Sequence, residues 1–298
     1  MKVSLVITDL DNTLFDWVDI WYKSFSAMLE SLVTTSGVPR DVLIPEIRDV
    51  HQRHGTAEYA FLIEELPSLS AKHRGENLLE VYAESVEAFR SARSSALKLY
   101  PTVRETLQLL KTRGCRIVGY TESMEFYSLY RIRHLGLDGL LDYVYTPPDH
   151  SLPEGLTRDA VRHHPPESYR LRNTENRHTP QGELKPNPRV LSDIFGELGG
   201  NRETTIYVGD SLMKDVAMAQ AARVTDVWAR YGTAQHREEY ELLRQVTHWS
   251  AEAVQKEKEL THTEVKPHYV LENFFDEMLG LFDFVAFQEQ ASSVNPHL

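Results

Sequence analysis

Two aspartates stand two residues apart at the end of an apolar run, in VITDLDNTLFD from Val6 to Asp16. If the backbone stays extended, the spacing of Asp9 and Asp11 keeps both carboxylates on one face. Two carboxylates that close repel one another and attract a hard cation. Read alone, the pair is better explained by a turn or surface loop. Three further segments carry groups of the same kind. Thr121, in Tyr120-Thr121-Glu122-Ser123, offers a hydroxyl to a phosphate oxygen, or else caps a helix. Lys185 precedes Pro186 in Leu184-Lys185-Pro186-Asn187-Pro188, and a following proline restricts an otherwise mobile cation to an extended backbone. Asp210 and Asp215 lie in Val208-Gly209-Asp210-Ser211-Leu212-Met213-Lys214-Asp215, where glycine permits close backbone approach. An aspartate N-cap with an acidic first turn would explain that last segment too.

What could bring four such segments together is a parallel sheet. Short runs rich in β-branched residues read as strands at 3 to 8, 115 to 121, 141 to 146, 204 to 210 and 225 to 230, with a weaker one at 268 to 271. They are apolar almost throughout and separated by helical patterns, as strands covered by helices on both faces are. Asp9, Thr121 and Asp210 each follow a strand, where open α/β sheets place their sites. Between the first two core strands, Thr102 and Glu105 spell a capping box, and Gly114 stops the helix that follows. A second helix begins near Pro188 and runs to Leu198.

Residues 16–97 break the alternation. Val18, Trp21, Tyr22, Phe25, Met28, Leu29 and Leu32 follow helical spacing, as do Leu78, Leu79, Tyr82, Val86 and Phe89. The segment reads as an inserted helical unit with these stripes as its core. Residues 147–184 are polar, rich in Pro, Arg and His, and aperiodic, which predicts an irregular excursion. Residues 234–261 read as a charged helix, and the last eleven residues as a loose tail.

Composition bounds the function. With 298 residues and 41% hydrophobic content, the chain can bury a large core. A net charge of -12 disfavours nucleic acid and anionic membrane as general partners. An anionic substrate must then meet local cations or a metal. No apolar run approaches the ~20 residues of a spanning helix. The one cysteine, Cys115, sits in an apolar strand, so it reads as an inert core thiol rather than a nucleophile. The absence of a disulfide framework and of a leader-like start predicts a cytoplasmic protein. Neither G-x-G-x-x-G after the first strand nor a Walker-type loop is present. His51, His54, His163 and His164 lack the further ligands that a zinc site needs.

The four segments, in this order and at these strand ends, resemble the motifs of the haloacid dehalogenase (HAD) superfamily. The resemblance implies an α/β fold with a Rossmann-like parallel sheet in three layers and an inserted α-helical cap domain. The core would span 1–15 and 98–298, the cap 16–97, and 147–184 would be an insertion within the core. The usual Ala-Gly after the fourth motif is replaced by Ala222-Arg223, and nearly forty residues separate the third strand from Lys185. By the same resemblance Asp9 is the nucleophile and Asp11 the general acid and base. Asp9, the backbone carbonyl of Asp11 and Asp210 would hold Mg²⁺, with Asp215 behind them. Thr121 and Lys185 would bind the transferred phosphoryl group. An acidic residue at position 11 favours phosphoryl transfer over carbon–halogen cleavage, because a halide needs no proton to leave. The expected activity is hydrolysis of a small phosphorylated metabolite through an aspartyl-phosphate on Asp9. A phosphomutase or phosphotransferase on the same intermediate is the nearest alternative. An interaction protein acting through 147–184 is an alternative of another class. Within the cap, HQRHGTAEY (51–59) is the expected substrate-facing loop, with Arg53 and His54 as its anion-binding cations.

Overall fold

A computed structural model describes residues 1–149, 152, 157, 159, 162, 164–250 and 265–289. Strand β1 (Lys2–Val3) pairs in parallel with β9 (Asp283–Phe284) in a small sheet of two. The main sheet has seven strands in the order β5-β4-β3-β2-β6-β7-β8, every neighbour parallel. They are β2 (Leu5–Thr8), β3 (Arg116–Tyr120), β4 (Tyr143–Thr146), β5 (Glu175–His178), β6 (Thr205–Gly209), β7 (Thr225–Ala229) and β8 (Tyr269–Leu271). Central β2 leads to β3 on one side, and the chain later returns to β6 on the other. The switch point therefore lies at β2, which is where such sheets open a crevice at their carboxyl ends.

Period two divides the strand side chains between two cores. Val6, Ile117, Ile206 and Val208 join one buried cluster, while Leu5, Ile7, Val118, Tyr120 and Tyr207 join another on the opposite face. Helices α6 (Val103–Thr112), with buried Val103, Leu107 and Leu110, and α7 (Glu125–His134) close the first face. Helices α8 (Pro188–Glu197) and α9 (Ala217–Ala221) close the second. Each helix applies an apolar stripe to the sheet, the arrangement that buries both elements' hydrophobic faces.

Helices α1 (Trp17–Ser36), α2 (Arg40–His54), α3 (Pro67–Lys72), α4 (Leu78–Val81) and α5 (Ala83–Ala96) follow β2. They build a third cluster around Trp21, Phe25, Leu29, Leu32, Leu43 and Ile47. Asp16 caps α1 by accepting from Asp19 N, and Gly37 and Gly55 end α1 and α2 in the left-handed conformation. Helix α10 (Glu239–Val246) adds Tyr240, Leu242, Leu243 and Val246 to this same cluster. That segment follows β7 in sequence yet packs on α1 and α2. It is shorter than the predicted charged helix of 234–261, of which residues 251–261 lie outside those described. A short helix α11 (Met278–Leu281) precedes β9. No helix among the described residues is long and apolar enough to cross a membrane.

Two local expectations fail for physical reasons. Thr102 does not cap α6: its φ is 69° and its side chain makes no capping bond. Its Oγ1 instead donates to Asp276 Oδ1 at 3.1 Å and accepts from Asp276 N at 3.2 Å, tying α6 to the segment before α11. The stretch 147–184 is not wholly irregular, because Glu175–His178 forms β5. Its four residues are all polar and partly or fully exposed, as suits an edge strand.

Candidate active site

Register brings the four motif segments to one edge. Thr8 lies opposite both Gly119 of β3 and Val208 of β6. Asp9, Thr121 and Asp210 therefore leave the sheet within about one residue of the same level. Asp9 N still donates to Val208 O at 2.8 Å, which fixes that aspartate's backbone as a continuation of the strand. Asn12 then turns the chain with φ 57°, and its Oδ1 accepts from Val18 N at 3.1 Å.

Asp9 and Lys185 form the centre. Lys185 Nζ donates to Asp9 Oδ1 at 2.5 Å and to Asp215 Oδ1 at 3.0 Å. It also sits 4.8 Å from the Tyr120 ring centre and 5.5 Å from that of Tyr207. Against the cost of burial, Asp215 and then Asp9 push the Lys185 pKa well above the ordinary value. Burial pushes Asp9 up to about 8; Lys185 opposes that rise, and Asp215 and Asp11 add to it. Asp210 is driven well above the usual carboxylate range by burial, then by Asp215 and Asp9.

Asp215 is fully used. Its Oδ1 accepts from Lys185 and from Tyr207 OH at 2.9 Å, and its Oδ2 from Ser211 N at 3.0 Å. It comes from a π-helical turn over Leu212–Val216, in which Ser211 Oγ accepts from Lys214 N at 3.1 Å. Gly209 makes this fold-back possible: a Cβ there would fall 2.3 Å from Asp215 Cγ. Gly232 has a similar role. A Cβ at 232 would lie 1.8 Å from Asn12 O and 3.0 Å from Asp210 Cβ, so only glycine lets the loop after β7 press on the aspartates.

Carboxylate oxygens of Asp9, Asp210 and Asp215 all lie within 4.8 Å of one another. Three hard oxygen donors, two of them with pKa values raised by burial and mutual repulsion, fit a divalent cation of the magnesium type. Asp9 and Asp210 of the expected set are among these three, and the Asp11 side chain points elsewhere.

Asp11 accepts from Ser123 Oγ at 2.6 Å, from Thr121 Oγ1 at 3.2 Å and from Arg131 at 3.3 Å. Thr121 in turn accepts from Ser123 N at 3.0 Å, so neither hydroxyl caps α7, whose first residue is Glu125. Arg131, on α7, is buried and also pairs closely with Glu58. Burial lifts Glu58 above its ordinary value, and Arg131 opposes the rise.

Sequence reasoning missed four of these participants. Glu122 accepts from Lys185 N at 2.9 Å and from Lys214 Nζ at 2.6 Å, bracing the lysine's backbone. Against burial, Lys214 and Lys185 hold Glu122 below the usual range. Ser123 shares the second motif segment with Thr121 but carries no signal of its own; Arg131 and Glu58 act through convergence of α7 with the loop after α2, for which no local pattern exists. The loop 51–59 does reach the site, but through Glu58. Arg53 and His54 both bond Glu65, at 2.9 Å, and the His54 ring stacks on Tyr59. His51 is buried, with Nδ1 2.7 Å from Val246 O. His163 lies outside the described residues.

Comparison with known proteins bears on this geometry. A family model described as haloacid dehalogenase-like hydrolase matches residues 3–223, and a second, HAD-hydrolase-like, matches residues 184–276. A glyceraldehyde 3-phosphate phosphatase of Methanopyrus kandleri is 22% identical over 240 residues, covering 79% of this chain and 88% of that protein. Among solved structures, a 2-haloacid dehalogenase from Pseudomonas syringae pv. Tomato DC3000 superposes with a TM-score of 0.53 at 17% identity, covering 94% of this chain and 98% of that one. The magnesium-bound protein YfnB from Bacillus subtilis gives 0.52 at 14% identity, covering 95% and 100%. These structures share the fold, a parallel sheet flanked by helices. With a family model covering most of its length, the chain belongs to the haloacid dehalogenase-like hydrolases and is a hydrolytic enzyme.

Proposed function

We propose that this hydrolase is a magnesium-dependent phosphomonoesterase of small phosphorylated metabolites, working in the cytoplasm through an aspartyl-phosphate on Asp9. The observation that carries the reading is the division of labour between the two aspartates. Asp9 bonds Lys185 and belongs to the carboxylate triad, whereas Asp11 bonds hydroxyls and a guanidinium outside it. One carboxylate is thus kept for the cation and the reacting atom. The other is free of the triad and can exchange a proton with a leaving group. The phosphatase name of the Methanopyrus kandleri relative supports the substrate class.

A divalent ion held by Asp9, Asp210 and the Asp11 carbonyl would screen the substrate's negative charge from the attacking carboxylate. Asp215, with every oxygen engaged, holds Lys185 in place. Lys185 and Thr121 bind and orient the phosphoryl oxygens. An Asp9 oxygen attacks phosphorus, the ester P–O bond breaks, and Asp11 gives its proton to the departing alkoxide. Asp11, now ionised, takes a proton from water as that water attacks the phosphorus of the aspartyl-phosphate. Phosphate leaves and Asp9 is restored. Helices α1 to α5 act as a cap that excludes bulk water.

The test is phosphate release from a panel of phosphorylated metabolites, in Mg²⁺ and in EDTA, by the natural chain and by Asp9→Asn. Release should require the metal and fall at least ~10³-fold in the variant, the scale on which loss of a nucleophile is felt. Undiminished activity in EDTA or in Asp9→Asn would falsify the mechanism. Transfer to an acceptor without net phosphate release would favour the phosphotransferase reading.

A further inference from the structure

A cavity of about 350 Å³ opens beyond Asp11, between α1, the loop after α2, α4, α5 and α7. Its walls are largely aromatic and aliphatic: Trp21, Phe25, Met28, Phe89, Phe126 and Tyr127. Glu58 and Arg131 line it as well, and Arg131 bonds Asp11, so the cavity and the aspartate cluster share that wall. The volume lies at the small end of the ~300–1,000 Å³ typical of small-molecule sites.

One cation in this wall is out of balance. Arg93, on α5, is only 9% exposed and lines the cavity. Among the described residues it has no carboxylate partner, and its Nε is buried without a hydrogen-bond acceptor. Its guanidinium rests on aromatic rings alone, 4.5 Å from the Tyr130 centre, 5.3 Å from Phe89 and 5.7 Å from Tyr127. Arg131 behaves differently, being paired with both Glu58 and Asp11. Such ring contacts stabilise a cation by only ~0.5–2 kcal/mol and accept no hydrogen bond. A buried guanidinium with five donors calls for an anion to complete it. Its distance to the site is set by Tyr127, whose ring lies 5.7 Å from the Arg93 guanidinium and 5.8 Å from that of Arg131.

We infer that the cavity takes the leaving alcohol of the substrate, and that this alcohol carries an apolar body ending in a carboxylate that pairs with Arg93. This rests on the phosphomonoesterase reading and narrows its substrate class. A monoanion is favoured over a second phosphate because, of the three arginines in the lining, Arg131 is already paired with Glu58 and Asp11 and Arg90 has an interaction of its own, which leaves Arg93 to face the ligand beside Glu58 and Glu80. Arg93 and a carboxylate can form two parallel hydrogen bonds. The aromatic walls receive the body between the ester oxygen and that end.

The experiment compares matched phosphomonoesters of ω-hydroxy acids of graded chain length, as free acid, as methyl ester and as ω-phosphate. In the natural chain, kcat/KM for the free acid should exceed that for the methyl ester and the bisphosphate by at least tenfold, mostly through KM. In Arg93→Gln the ratio should fall to about one, and Arg93→Lys should restore part of it. Calorimetry of the dephosphorylated hydroxy acid and its amide reads the pocket without turnover, and only the acid should bind detectably. Turnover of phosphomonoesters with no preference for the acid, or a preference that survives Arg93→Gln, overturns the inference. A bisphosphate preference overturns the choice of a monoanion. Arg93-dependent binding of the hydroxy acid without turnover of any ester would instead sink the phosphatase reading and leave the anion pocket standing.

Discussion

Asp9 and Asp11 share a strand end but not their neighbours, and that difference has measurable consequences. Asp11 is surrounded by Ser123, Thr121 and Arg131, none of which reaches the carboxylate triad. If its task is to protonate the leaving oxygen, the cost of removing it must depend on how basic that oxygen is. Asp11→Asn should lower kcat/KM, which reports formation of the aspartyl-phosphate and not its shared hydrolysis, by ~10²–10⁴ on alkyl phosphates, the usual range for a lost general acid or base. The loss on p-nitrophenyl phosphate, whose phenolate leaves unaided, should be at least tenfold smaller. Equal losses on both would place Asp11 in another role. A second residue-scale prediction concerns Gly209, where a methyl group would fall 2.3 Å from Asp215 Cγ. Gly209→Ala forces Asp215 away from Ser211 N and Lys185. It should destabilise the fold by ~1–3 kcal/mol, as overpacking does, and cut activity with it. A thermal melt matching that of the natural chain would show that the turn can give way without cost.

The elements that could be read from sequence are those whose signal is local. Strands β2, β3, β4, β6, β7 and β8 are short apolar runs, and the catalytic segments follow three of them. Thr121, Lys185, Asp210 and Asp215 are recognisable because each sits at a strand end or before a helix. Strand β5 was missed because ENRH has no apolar residue to betray it; its place is set by pairing with β4 at the sheet edge. Thr102 has a capping sequence, but a long-range partner, Asp276, competes for its hydroxyl. Helix α10 reads in the sequence only as part of a charged helix, because nothing local tells which cluster its apolar stripe will join. Its docking is fixed partly by His51 of α2, whose Nδ1 meets Val246 O. Burial lowers the His51 pKa from 6.5 to about 4, with His248 a further, smaller cause. Between those values the unfolded chain carries a proton that the folded chain refuses. Stability should therefore be level above pH 6.5 and fall as the pH drops toward 4. The slope approaches ~1.4 kcal/mol per pH unit for this one group. His51→Gln keeps a hydrogen-bond donor but does not titrate, so it should flatten the decline of melting temperature over that window. An unchanged pH dependence would assign the decline to other groups.

At the scale of the whole molecule, three clusters meet at one point. The two faces of the sheet bring β2 and β6 side by side, and the helical cluster of α1 to α5, joined by α10, supplies Glu58 and the cavity above. This placement concentrates negative charge. Asp9, Asp210 and Asp215 are packed within reach of one ion, and a single lysine bonds two of them. The chain without a cation is thus strained electrostatically at this strand end. An ion that binds the folded chain alone adds ~2.7 kcal/mol at a hundred times its dissociation constant. For a chain of this size that is a rise in melting temperature of about 5 °C. Asp210→Asn removes one of the repelling carboxylates while keeping its shape. It should raise the melting temperature of the metal-free chain and abolish most of the Mg²⁺-dependent increase, and it should do both together because one charge causes both. Were the metal-free variant less stable than the natural chain, repulsion among the carboxylates would not be what Asp210 contributes, and a Mg²⁺-dependent increase that survived Asp210→Asn would show that the triad is not the metal site.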